Sequence, residues 1–337
     1  MKRFNILVTA GIIGIIFLIL IPLPTPILDF LFILNISLSL LILVMSMYIR
    51  ETLEFSVFPS LLLITTLFRL GLNISSTRKI LFDNGYAGQV VKTFGQFVIR
   101  GNAVIGFIIF LIIVLVQFIV ITKGSERVAE VAARFTLDAM PGKKMGIDAD
   151  LNSGLIDEQQ ARERRSKIQR EADFFGSMDG ATKFVKGDAI ISIIITFINF
   201  VGGLIVGIMN SQGSIQDIMQ IYTTSTIGDG LVSQLPALMI STATGMVVTR
   251  SVSEGSLHRD GIAQFKAQPR AMMTTVVILL FLGVIPNTPH AALIIGGGGL
   301  VGGGYLVKRS MERQKTIAAA AEGAAAQPEE APPSESD

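Results

Sequence analysis

The chain has 337 residues, of which half are hydrophobic and 16% are charged, with a net charge of +2. Soluble domains carry about 25% charged residues; with long apolar blocks and a mean hydropathy of +0.60, a single soluble core is excluded and a polytopic membrane protein is indicated. The near-balanced charge offers no footprint for nucleic acid, and the absence of cysteine, with only His258 and His290, removes disulfides, thiolate catalysis and Cys- or His-based metal centres from consideration.

A spanning helix needs roughly 20 apolar residues. The first candidate runs from about Ile6 to Leu23, after the basic start Lys2-Arg3. No small-residue cleavage site follows, only Ile21-Pro22-Leu23-Pro24, so it reads as a span and not a signal peptide. The second runs from about Ile27 to Tyr48, making a hairpin with a Pro-rich turn. A third covers about Phe55 to Leu72 and a fourth about Asn102 to Thr122, so residues 1–122 hold four spans. Residues 73–101 are left over. Parity puts them outside, yet they carry Arg78, Lys79, Lys92 and Arg100. The expectation is a re-entrant or interfacial segment, with the polar run Asn73 to Arg78 meeting protein or water.

The block 123–186 contains twelve basic and eleven acidic residues and is expected to be a helical cytoplasmic loop. A helix is predicted from about Asp157 to Phe174, where Glu158 precedes Arg162 and Glu163 precedes Lys167 by one turn. Residues 187–309 then hold four more spans, at about Gly187–Met209, Gly230–Val248, Ala271–Ile285 and Ala291–Val307. The predicted fold is all-α, with about eight transmembrane helices. Lys and Arg concentrate at the N-terminus, Arg50, the 123–186 block, the 250–270 loop and the tail from Lys308. Positive loops stay inside, so both termini are expected in the cytoplasm. Residues 310–337 turn Ala-rich and then Pro-, Glu- and Ser-rich, which is linker chemistry and creates the expectation of a further C-terminal domain.

Asp148-Ala-Asp150-Leu-Asn152 invites a calcium-loop reading, but the sixth and twelfth positions hold Ser153 and Gln159 where Gly and Glu are needed. The glycine runs 296–299 and 302–304 lack a following Lys-Ser/Thr and suit close helix packing instead. With no nucleotide motif, work must be driven from elsewhere, and the membrane ion gradient is the natural source. Ionisable groups in or near spans are then the informative ones, because each costs at least about 2.5–3.5 kcal/mol at the bilayer centre. Asp188 follows Lys183 and Lys186 at the predicted start of the fifth span. Desolvation and the lysines act on it in opposite directions, so it is a candidate titrating group. A helix N-terminal Asp held by the macrodipole is the alternative. Asp229, within Gly-Asp-Gly, poses the same choice. Asp29 and Arg69 sit at predicted span ends, as structural partners or interface anchors.

The stretch from Arg127 through Arg134, Asp138, Pro141 and Lys143 to Asp150 resembles the signature of the FHIPEP family, the large export-gate proteins of bacterial type III secretion systems. Leu155 to Glu158, Phe174 to Phe184, Thr226 to Val232 and Phe68 to Arg78 are similar to the same family, and the likeness covers essentially residues 1–310. The resemblance implies eight spans in the inner membrane and a homo-oligomeric ring of nine subunits. It also implies a large C-terminal domain that docks substrate–chaperone complexes, and partners among the other membrane gate components and the cytoplasmic ATPase complex. Through it, Asp188 and Lys183, with Asp229 beside them, are implicated in a proton pathway. Arg78, Arg127, Arg134 and Asp138 match charged family positions, as gate or intersubunit contacts. No enzyme activity, cofactor or metal is expected. The rival readings are a passive scaffold for the export ring and an ion-coupled small-molecule transporter.

Overall fold

In the computed structural model, the structure describes residues 11, 13–99, 103–210, 213–249, 274–275 and 277–278. The chain divides into two units, Met1–Glu254 and Gly255–Asp337; the architecture below is that of the first. Apart from residues 274–275 and 277–278, the predicted seventh span lies outside the described residues, as do the eighth span, the linker and the first part of span one.

Among the described residues every regular element is helical. A helical stretch at 13–20 ends at Pro22 and Pro24, neither of which supplies the N–H a helix needs. Then follow α1 (Thr25–Tyr48), a 3₁₀ turn (Thr52–Phe55), α2 (Phe58–Phe82), α3 (Gln89–Ile99), α4 (Ala103–Ile119), a π-helical turn (Val120–Ser125), α5 (Glu126–Asn152), α6 (Glu158–Met209) and α7 (Ile215–Thr249). Among the described residues, four helical segments are long and apolar enough to cross a membrane: Thr25–Tyr48, Thr52–Phe82, Glu158–Met209 and Ile215–Thr249. A fifth arises if α3 and the Val104–Ile119 helix, 103° apart, count as one bent span.

Each helix buries one stripe. On α1 the buried residues are Leu28, Phe32, Asn35, Ser39, Ile42 and Ser46, alternating steps of four and three, the signature of one helical face. Ile33, Leu34, Leu40 and Leu41 on its other faces are exposed, as a lipid-facing surface requires. α7 is the central helix, buried almost continuously from Tyr222 to Ala237. It is crossed by α3 where two glycines meet. A Cβ at Gly228 would overlap the carbonyl oxygen of Val91, and one at Gly95 would overlap that of Thr224. Lipid gives no hydrophobic drive for helix association, so close approach of this kind is a main source of cohesion.

α2 does not stop at Leu72. It runs on to Phe82, and Asn73, Ser75 and Ser76 are buried between helices. The polar run that argued against a span is a helix face turned to protein. Arg69 consequently sits in the middle of α2 and not at a span end.

α6 is 52 residues long, about 78 Å at 1.5 Å per residue, against a hydrocarbon core of about 30 Å. Its first half therefore projects out of the membrane. Asp157 caps it, accepting from the Gln160 amide while the Gln160 side chain reaches back to the Asp157 N–H, a reciprocal capping box. α5 packs along this projecting half. Ala129 and Ala133 share one buried apolar cluster with Phe174, Phe175 and Met178, and Lys143–Glu171, Arg164–Asp150 and Arg165–Asp148 pair across the hairpin. Asp148 and Asp150, considered above as calcium ligands, thus face arginines. Lys167 reaches Glu51 at 2.8 Å, and that hydrogen bond and charge hold its ammonium above the usual lysine range.

Candidate functional site

Three helices contribute polar side chains to one buried ladder. α2 supplies Arg69, Asn73 and Ser76, spaced four and three residues apart on one face. α6 supplies Asp188, Ser192 and Asn199; α7 supplies Ser225, Asp229 and Ser233.

At one level the guanidinium of Arg69 donates through Nη2 to Oδ2 of Asp188, with side chains only 4% and 3% exposed. One turn along α2, Asn73 donates through Nδ2 to the Ser192 hydroxyl at 3.2 Å and accepts from the Ser233 hydroxyl. The next turn brings Ser76, whose hydroxyl donates to the Asn73 carbonyl at 3.0 Å and stands beside the Asp229 carboxylate. Asn199 donates to Oδ2 of Asp229 at 2.9 Å. One turn further on α7, Ser225 donates to the Gly85 carbonyl, under a cleft of about 450 Å³ lined by Tyr86, Lys92, Gln96, Asp217 and Gln220. Asp188 and Asn199 are eleven positions apart on α6, so the two carboxylates lie on the order of 15 Å apart along the bundle.

The two carboxylates are held differently. A buried ion is tolerated when paired and hydrogen-bonded, and Asp188 has Arg69 for this. Asp229 is 2% exposed and is met by neutral groups, the amide of Asn199 and the hydroxyl of Ser76. Neither is a helix-end residue. Asp188 lies past the midpoint of α6, and Asp229 lies well inside α7, which begins at Ile215; the macrodipole alternative does not describe them.

The other sequence candidates lie elsewhere. Lys183 is 62% exposed and pairs with Asp179 at 2.7 Å, not with Asp188. Arg127 pairs with Glu130 at 3.3 Å, and Arg134 and Asp138 are exposed on α5. Arg78 donates to the carbonyls of Leu20 and Ile19, capping the 13–20 helix. Asp29 accepts from the backbone amides of Gln89 and Val90, each at 2.9 Å, at the start of α3. Sequence reasoning passed over Ser192, Asn199 and Ser233, set Arg69 at a span end, and read Asn73 only as part of a polar run meeting protein or water. A signal for Arg69 existed: an arginine and an aspartate each embedded in an apolar stretch are natural partners.

The FHIPEP family model matches residues 15–337. Flagellar biosynthesis protein FlhA of Bacillus subtilis is 57% identical over 239 residues, covering 71% of this chain and 35% of that protein. Low calcium response locus protein D of Yersinia pestis is 54% identical over 247 residues, 73% of this chain and 35% of that protein. Flagellar biosynthesis protein FlhA of Salmonella typhimurium is 51% identical over 250 residues, 73% and 36% respectively. The chain thus spans about a third of the length of these curated relatives. No solved structure matches it significantly.

Proposed function

The chain belongs to the FHIPEP family, and we propose from that premise that it is the membrane portion of a type III protein export gate of the flagellar kind. In this reading it couples the proton motive force to export of unfolded subunits. The observation that carries the coupling is the buried ladder: two carboxylates, Asp188 beside Arg69 and Asp229 beside Asn199 and Ser76, with the hydrogen-bonded Asn73, Ser192 and Ser233 at the level between them. Ionisable groups in a membrane interior mark ion pathways, and hydroxyl groups, oriented here by the Asn73 amide, are the chemistry that relays protons. Asp188 exchanges the proton beside Arg69, and Asp229 is a second station nearer the cleft over Ser225. Lys183, at the membrane edge of the projecting hairpin, tunes the approach to Asp188. The α5–α6 hairpin, with Arg127, Arg134 and Asp138 on its exposed side, contacts neighbouring subunits or gate components.

The same reading places the protein in the bacterial inner membrane with the basic 123–186 block and both ends of the chain inside. It assembles with copies of itself in a ring of nine and with the other membrane components of the gate. A domain beyond this chain meets the ATPase complex and substrate–chaperone complexes. It makes and breaks no covalent bond and uses no cofactor.

The test is export of a reporter substrate with Asp188→Asn and Asp188→Glu, with membrane level and ring assembly measured in both. Asn stopping export while the ring assembles, and Glu keeping part of it, supports a titrating carboxylate. Normal export by Asp188→Asn refutes it, and the Arg69–Asp188 pair is then a strut in a passive scaffold.

A further inference from the structure

The two oxygens of Asp188 have different surroundings. Oδ2 takes the guanidinium of Arg69. Oδ1 is buried without a protein partner, and the same is true of Nε of Arg69 and of Oε1 in both Gln117 and Gln234. All four residues line a single cavity of about 20 Å³ at the junction of α2, α4, α6 and α7, with Ser192, Ser233, Phe118 and Ile121 also on its wall.

A buried water needs about 10–15 Å³ and two to four polar partners. This cavity supplies both. A water there donates to Oδ1 of Asp188 and to one glutamine Oε1, and accepts from Nε–H of Arg69. The other glutamine, by turning its amide, donates into the fourth position. Unpaired, each of these buried polar atoms costs about 1–3 kcal/mol; an apolar cavity of the same size would stay dry. The backbone adds an independent feature. Directly beyond Gln117 and Phe118, α4 loosens into the π-helical turn Val120–Ser125, whose Ile121 lines the cavity. Such turns concentrate at functional sites.

We propose that this cavity is a buried water site on the ion path, held against Asp188 by the positioning residues Gln117 and Gln234. The proposal rests on the reading of Asp188 as a proton-exchanging group and adds the route. A hydronium in the cavity passes its proton to a lone pair on Oδ1, leaving neutral water and a carboxylic acid; the reverse step restores both. Because Oδ2 stays on Arg69 throughout, the ion-pair geometry need not open at each transfer. Arg69 from α2 is the charged group facing Asp188. Gln117 from α4 and Ser233 and Gln234 from α7 are neutral, and Lys183 and Lys186 precede it on α6.

The test substitutes Gln117→Leu and Gln234→Leu, singly and together, with Gln→Asn at each as the conservative variant, in the full-length protein within its membrane complex. Radiolytic hydroxyl-radical labelling of Phe118 reports ordered water beside it, and reporter export across a range of pH reports function. Wild type is expected to label at Phe118. The double Leu variant should lose that label, export roughly tenfold to hundredfold less with a changed pH profile, and still assemble; the Asn variants should retain part of both. An unlabelled Phe118 in wild type, or a double Leu variant with wild-type export and pH profile, overturns the site. Asp188→Asn in the same assay separates the two readings. If it exports normally the proton reading falls, and Phe118 labelling still decides whether water is there. If it blocks export while the double Leu variant does not, only the water site falls.

Discussion

The guanidinium of Arg78 on α2 donates to the carbonyl oxygens of Leu20 and Ile19, at 3.1 and 2.9 Å. Ser75, one turn earlier, donates to Leu18 at 2.7 Å. These are the last carbonyls of the 13–20 helix; Pro22 and Pro24 lack the amides that Leu18 and Leu20 would take, and Ile19 lies past the helix's last full turn. A cation at a helix C-terminus also meets the negative end of its dipole. The basic residue that looked misplaced by loop-charge counting is therefore a cap. Arg78→Ala should lower the thermal stability of the purified protein by about 1.5–3 kcal/mol, and Arg78→Lys by less. A loss of export with unchanged melting in both would assign Arg78 to an intersubunit contact instead.

Asp29 performs the matching task at the other helix end, taking the first amides of α3. The chain reaches it through Gly88, whose φ of +120° suits glycine and whose missing Cβ makes room for the carboxylate. Asp29→Ala is expected to cost about 1 kcal/mol as a lost cap. Gly88→Ala should cost more, through both backbone strain and displacement of Asp29. Hydrogen exchange of the α3 amides is the readout: both variants should exchange faster there, with Gly88→Ala the faster.

Much of this architecture was legible. The second span, read as about Ile27 to Tyr48, is α1, and an all-helical membrane protein follows from apolar run length alone. What hydropathy could not see was the direction of polar side chains. It averages around a helix, so Asn73 to Arg78 lowered the score of α2 although those groups face α6, α7 and the 13–20 helix. Ending α2 early moved Arg69 from the middle of the bundle to its edge. Carboxylates in apolar stretches stand out, which is why Asp188 and Asp229 were found. Asn73, Ser192, Asn199 and Ser233 are neutral and unremarkable singly; their meaning lies in pairings separated by 119, 30 and 160 positions.

The α3–α7 crossing depends on two absent side chains. Gly228→Ala places a methyl group into the Val91 carbonyl, and Gly95→Ala one into that of Thr224. Backbone cannot yield as a flexible side chain does, so the helices must part. Asp229 is next to Gly228, so its contacts with Asn199 and Ser76 should loosen as well. Each variant is expected to lower membrane level and assembly. Cysteine pairs placed across the crossing should lose crosslinking to the same extent.

The Arg69–Asp188 pair allows its structural and functional roles to be separated. Removing one partner of a buried ion pair leaves an uncompensated charge and costs roughly 3–5 kcal/mol, whereas replacing both with apolar residues of similar volume is often neutral or stabilising. Arg69→Met alone should therefore reduce the amount of folded protein in the membrane, because Asp188 loses its cation. Arg69→Met with Asp188→Leu should restore folding and assembly by removing both charges. Export is the deciding measurement. If the double variant folds, assembles and does not export, the carboxylate is needed for more than holding α2 to α6. If it exports at the wild-type rate, the pair is a strut, as in the passive-scaffold reading. Placing Asp188→Leu alone beside them completes the cycle. Its deficit should also be relieved by Arg69→Met, since a coupling energy between two sites is the same from either side.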